Sequence, residues 1–298
     1  MKKIISLGLF FIAQATMAQQ PFFQGHRGCR GFLPENSLPA FEKALELGVV
    51  LEMDVCMSKE GQVVVSHEPY MNSLFCVHPD GRPVKKEEEK VLNLFQMNYS
   101  EIKRFDSGIK GNPNFPQQEP RSVYKPLLSE VLELTEAYRR KTGKPVYYNI
   151  EIKSDSSEYG ISQPKEIKIF ADRVYQVIQH QVKWEFVTLQ SFDFQALKFL
   201  QKEIQSGRYQ KMSLSALVSR KSPQKVVEDL GFVPDIYSSA YTSLSKEWID
   251  ASHQLGMKVI PWTVNDEKEM ERLKNLGVDG IITDYPTSVT GLPIVSNP

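Results

Sequence analysis

Short apolar runs alternate along this chain with longer stretches in which apolar positions recur every three or four residues. The short runs predict strands near 22–26, 49–55, 146–151, 186–190, 212–217, 235–238, 257–262 and 280–283. The periodic stretches predict helices over 37–47, 127–141, 164–181, 193–204, 222–230, 245–255 and 266–276. Parallel strands need crossover connections, so eight strands separated by helices predict an α/β fold, a single-domain (β/α)8 TIM barrel. A doubly wound open sheet is the competing arrangement. One segment breaks the alternation. Between His67 and about residue 125 lie Pro79-Asp80-Gly81, a charge run over 85–90 and Asn112-Pro113. An insertion after the second strand is therefore expected over about 68–125, partly helical near 100–106. The charge run reads as a solvated face.

Alternation within the strands locates the chemistry. In the second strand Leu51, Met53 and Val55 share one face, and Glu52 and Asp54 share the other. The third repeats the design, with Val146, Tyr148, Ile150 and Ile152 toward the helices and Asn149, Glu151 and Lys153 inward. Barrel active sites lie at the C-terminal strand ends, where Glu52, Asp54, Glu151 and Lys153 fall. Three carboxylates meeting there suit one hard divalent cation, Ca²⁺ or Mg²⁺. The competing reading is a buried network in which Lys153 and Arg27 neutralise the acids. The repetition of the design on two strands favours the metal. His26, in Gly25-His26-Arg27-Gly28, closes the first strand, and His67 ends a short run after the second. Two imidazoles on the rim that carries the acids suit a reaction needing a general acid and a general base.

Composition narrows the choice. Lys+Arg and Asp+Glu both number 36, so no net field favours nucleic acid or an acidic membrane surface. Residues 1–18 differ from the rest: Lys2 and Lys3 precede an apolar run over 4–13, and Ala15-Thr16-Met17-Ala18 offers small residues for cleavage. That is a secretory signal pattern, too short to span a bilayer. Export across the inner membrane is expected, to the periplasm or the medium, with a mature chain of 19–298. Three cysteines, Cys29, Cys56 and Cys76, leave at least one thiol unpaired; a Cys29–Cys56 bridge stays open.

The ordered set His26-Arg27-Gly28, Pro34-Glu35-Asn36, Glu52-x-Asp54, His67 and Glu151-x-Lys153 resembles the glycerophosphodiester phosphodiesterase family. So do the runs Trp262-Thr263-Val264-Asn265 and Gly280-Ile281-Ile282-Thr283-Asp284-Tyr285-Pro286. The resemblance covers nearly all of the mature chain. It implies a barrel that hydrolyses glycerophosphodiesters to glycerol 3-phosphate and an alcohol. It makes Glu52, Asp54 and Glu151 the ligands of one Ca²⁺ or Mg²⁺, His26 and His67 the acid and base, and Arg27 and Lys153 the phosphate-binding cations. Glu35 and Asn36 would orient His26 or Arg27, with helix capping as a further role for Asn36. Trp262 would line the alcohol side or simply pack the barrel mouth. The chain departs from the family in carrying Glu68 where an Asp usually follows the second His, and segment 70–125 lacks the family's short motifs. The leaving group is therefore open, and a phospholipase acting on lysophospholipid or lipid is the alternative, with Phe32-Leu33 and Leu74-Phe75 as an apolar rim. A non-catalytic phosphodiester-binding protein would have lost a His or a metal ligand, and every such position is filled. No protein partner or oligomeric state is assigned.

Overall fold

The computed structural model describes residues 23–286 of the 298-residue chain. The leader read at 1–18 lies outside the described residues. In chain order the strands are β1 (Phe23–Gly25), β2 (Val50–Met57), β3 (Val63–Val65), β4 (Tyr148–Ile152), β5 (Val187–Ser191), β6 (Ser213–Val218), β7 (Ile236–Ser239), β8 (Lys258–Val259) and β9 (Ile281–Thr283). The helices are α1 (Leu38–Leu47), α2 (Tyr99–Ile102), α3 (Leu128–Thr142), α4 (Ile167–Ile178), α5 (Phe194–Gln205), α6 (Pro223–Leu230), α7 (Lys246–Gln254) and α8 (Glu267–Leu276).

Eight strands run parallel in one curled sheet, in the order β8-β7-β6-β5-β4-β2-β1-β9. Backbone bonds join the two ends of that order: Asp279 N–H donates to Val259 O (2.8 Å), Ile282 N–H to Pro261 O (3.0 Å) and Val264 N–H to Ile282 O (2.9 Å). Each expected strand and helix is present, with ends shifted by a few residues. β8 is shorter than the sequence predicts because Pro261 has no N–H to give the ladder. β3, which the sequence reading did not resolve as a strand, runs antiparallel to β2 with Val65 opposite Val55.

The sheet faces divide as alternation predicts. Leu51, Met53 and Val55 of β2 and Tyr148, Ile150 and Ile152 of β4 join the main apolar core with Phe41, Leu132, Phe170 and Val174. Each such side chain contributes about 1.5–3 kcal/mol. Six of them offset the several kcal/mol per ion that the carboxylates on the opposite face cost. A second apolar cluster, Val64, Met71, Phe75, Cys76, Leu94, Tyr99, Ile102 and Phe105 among others, holds the segment between β3 and α3 together. Within it the charge run is not wholly solvated. Glu89 is buried and accepts bonds from Ser73 N (2.9 Å) and Oγ (2.6 Å). The three cysteines are buried free thiols, so the Cys29–Cys56 bridge does not form.

Candidate active site

Register brings the acids together. β2 and β4 pair with Glu52 beside Asn149 and Asp54 beside Glu151. All three carboxylates are buried, and each offers an oxygen within 4.8 Å of the others. Glu52 accepts from Arg27 N (2.8 Å) and Gln190 Nε2 (2.9 Å). Asp54 Oδ2 accepts from Asn36 Nδ2 (2.9 Å) and lies 3.3 Å from Arg27 Nε. Glu151 pairs with Lys153 Nζ at 2.8 Å. Asp54 Oδ1 accepts no hydrogen bond; Lys153 Nζ stands 3.9 Å away.

Burial pushes Glu52 well above the ordinary carboxylate range, and the Asp54 charge pushes it further. Burial raises Glu151 too, despite Lys153. Asp54 stays ionised because His67, Arg27 and Lys153 outweigh its burial. Like charges in one dry pocket cannot all ionise unaided, and a bound divalent cation reverses that repulsion. The all-oxygen donor set, with one carboxylate oxygen left over, therefore fits a hard cation. Arg27 and Lys153 occupy the flanks of the triad, a placement compatible with a neutralising network and with a cation site alike.

The loop after β1 is shaped by backbone demands. A Cβ on Gly25 would sit 2.0 Å from Gly28 O, and Gly28 has φ +86° with Ala40 Cβ 2.7 Å from where its own Cβ would be. Between them Arg27 is left-handed at φ 50°, and Asn36 is likewise at φ 52°. Such strain costs of order 1–3 kcal/mol per residue and gathers at working sites. Here it aims Arg27 N at Glu52 and Nη1 at Glu35 (2.7 Å). Glu35 thus orients Arg27. Asn36 does not cap α1: its side chain is committed to Asp54, and Ser37 Oγ accepts from Ala40 N instead.

The histidines reach the same pocket by different routes. His26 leaves the end of β1, and its Nδ1 meets Asp284 Oδ1 at 2.6 Å. Burial and the neighbouring Arg30 charge lower it to about 4. His67 follows β3, which returns antiparallel so that Ser66 N–H binds Asp54 O (2.9 Å) at the carboxylate rim. Its Nδ1 meets Glu68 Oε1 at 2.8 Å. Burial favours the neutral acid at Glu68, but the His67 bond prevails and holds it near 2. His26, Arg27, Glu52, His67 and Glu151 line one cavity of about 190 Å³, together with Phe192 and Trp262. Trp262 Nε1 donates to Ser238 O (3.1 Å), and its ring packs edge-on against Phe192 at 5.4 Å. The expected apolar rim is incomplete: Leu74 is exposed, but Phe75 is buried and Phe32 packs on Tyr285.

Three residues make contacts that the sequence reading did not find: Gln190 was missed, and Asn149 and Asp284 were named without their partners. Gln190 braces Glu52, and Asn149 Nδ2 donates both to Gln190 Oε1 (3.0 Å) and to Gln24 Oε1 (2.7 Å). The third is Asp284, at the end of β9. Inward alternation on β5, which puts Gln190 two residues beyond Thr188, was the available signal for the first.

The sequence profile described as the glycerophosphoryl diester phosphodiesterase family matches residues 26–288. A glycerophosphodiester phosphodiesterase of Bacillus altitudinis is 30% identical over 263 residues, 88% of this chain and 93% of that protein. One from Caldanaerobacter subterraneus subsp. tengcongensis is 29% identical over 268 residues, 90% and 95% of the two chains. Among solved structures, that of a putative glycerophosphoryl diester phosphodiesterase from Silicibacter pomeroyi matches with a TM-score of 0.78 at 26% identity, covering 91% of this chain and 92% of that one. The profile match opens at His26 and spans the whole carboxylate and imidazole constellation, so the chain belongs to the glycerophosphoryl diester phosphodiesterase family.

Proposed function

We propose that the protein is a divalent-cation-dependent phosphodiesterase that hydrolyses glycerophosphodiesters to glycerol 3-phosphate and an alcohol. The observation that carries this reading is the meeting of three buried carboxylates beside one cavity, which Glu52 and Glu151 line together with both imidazoles. Glu52, Asp54 and Glu151 hold the cation, Ca²⁺ or Mg²⁺, which supplies positive charge to the phosphoryl oxygens. Arg27 and Lys153 add fixed charge to the same phosphoryl group. Of His26 and His67, one takes the proton from the attacking hydroxyl and the other protonates the departing oxygen in an in-line displacement. The attacking hydroxyl belongs to water or to the adjacent carbon of the glycerol, through a cyclic phosphate. Glu35 and Asn36 position Arg27 and Asp54, and Trp262 with Phe192 lines the side that receives the organic groups.

The wider assignments belong to the same reading. The backbone bonds between the β8 segment and β9 support closure of the sheet into a (β/α)8 barrel. The separate apolar cluster supports treating 68–125 as an insertion in a single domain spanning 19–298. The pattern over 1–18 supports export to the periplasm or beyond. No helix among the described residues is long and apolar enough to cross a membrane.

Exposed Phe192 beside Trp262 favours a second reading, in which the leaving group carries an acyl chain. Hydrolysis of glycerophosphocholine should outpace that of micellar lysophospholipid. The reverse order would replace the first reading with the second.

A further inference from the structure

We propose that Asp284, braced by Arg30, is a positioning residue that holds His26 with its proton on Nδ1 and presents Nε2 as the proton acceptor. The inference rests on the phosphodiesterase reading and assigns His26 its part in it. Asp284 is buried, and its two oxygens are saturated with donors. Oδ1 faces His26 Nδ1 (2.6 Å) and Arg30 Nε (2.7 Å). Oδ2 faces Arg30 Nη2 (3.2 Å) and Asn265 Nδ2 (2.7 Å). A carboxylate in that position can only accept, so the ring nitrogen touching it is the donor. In a neutral imidazole the other nitrogen, Nε2, then carries the lone pair. No described residue bonds His26 Nε2, and the ring lines the cavity that Glu52 and Glu151 of the carboxylate triad also line.

Arg30 makes the arrangement rigid and electrically balanced. Its guanidinium sits 4.7 Å over the Phe115 ring, and its carbonyl accepts from Gln118 Nε2 at 2.7 Å. The long segment before α3 thereby reaches back to the residue that fixes Asp284. Asp284 itself is anchored at its backbone, where its N–H donates to Asn265 Oδ1 (3.0 Å) and its carbonyl accepts from Gly31 N–H (3.0 Å). A buried carboxylate that orients an imidazole acts on proton transfer without touching the substrate.

Histidine-¹⁵N-labelled protein in EDTA, at a pH where the rings are neutral, tests the placement by the ring ¹⁵N shifts. The His26→Gln variant identifies the signal among five histidines. The expected result is protonation of His26 at Nδ1, and its loss or mixing with the Nε2–H form in Asp284→Asn, whose amide brings an NH₂ among groups that all donate. Asp284→Asn should also lower kcat by about 10²–10⁴-fold with KM little changed, and Asp284→Glu should recover part of it. A wild-type His26 protonated at Nε2 overturns the proposal, as does an Asp284→Asn enzyme within about threefold of wild-type kcat. If the variants do not fold, the wild-type tautomer alone decides. Absence of glycerol 3-phosphate release by wild type would count against the phosphodiesterase reading and leave the tautomer measurement standing.

Discussion

Two carboxyls of the triad are pushed toward neutrality by burial, and the third is held ionised by cations. The orientation of Glu52 rests on Gln190, which in turn is held by Asn149. Residues that orient a metal ligand are worth about 10–100-fold in affinity. Gln190→Leu should therefore weaken Ca²⁺ or Mg²⁺ binding by about that factor in calorimetry, with the fold intact by circular dichroism. Wild-type affinity in this variant would show that the chain of amides plays no part in holding the cation. His26 sets a pH dependence. Its folded value of about 4 lies below the ordinary 6.5, so the unfolded chain takes up the proton first as the medium is acidified. The contribution is fully present above pH 6.5 and is lost as pH falls through about 4. In EDTA, the fall in Tm between those values should be shallower in His26→Gln than in wild type, and equal slopes would contradict the assignment. The triad was legible in part, because alternation puts Glu52 with Asp54 on one face of β2 and Glu151 on the inward face of β4, while the register that joins them was not. The contact of Asp284 with His26 was not, since it spans 258 positions and nothing local announces it.

Two short pieces of backbone decide where the imidazoles go. The Gly25–Gly28 turn holds Arg27 in a left-handed conformation and packs against α1 so closely that no side chain fits at Gly28. Gly28→Ala should destabilise the fold by about 2 kcal/mol or more, read as a lowered urea midpoint. An unchanged midpoint would mean that α1 moves aside freely. β3 has the same weight for His67. The sequence placed His67 on the rim with the acids, whose cavity it lines, but gave no direction to the run before it, because three consecutive valines do not alternate. Antiparallel pairing with β2 supplies that direction, since it carries the chain from the end of β2 back to Asp54. The exchange of roles between Asn36 and Ser37 has a similar origin. Both are good capping residues, and only the position of Asp54 decides which one is free to cap.

At the scale of the molecule, the parallel sheet and its helices followed from periodicity, whereas the segment over about 68–125 was recognisable only as an interruption. Its apolar residues are scattered over turns, so no period marks the cluster that Met71, Phe75, Leu94 and Phe105 build. Two of the three thiols, Cys56 and Cys76, lie in that cluster, and Cys29 lies in the main core with burial pushing it up to about 12. A thiol reagent should find none of them in the native protein and all three after denaturation without reductant. A smaller count after denaturation would reveal a disulfide. The central claim is that the carboxylate triad, with a cation, works with the two imidazoles on a phosphodiester. It is tested most directly by glycerol 3-phosphate release from glycerophosphocholine by the 19–298 chain, in EDTA and then with Ca²⁺ or Mg²⁺ restored, beside a His26→Ala control. Release that vanishes in EDTA, returns with the cation and is absent from the control is the predicted result. Undiminished release in EDTA, or from His26→Ala, would contradict it.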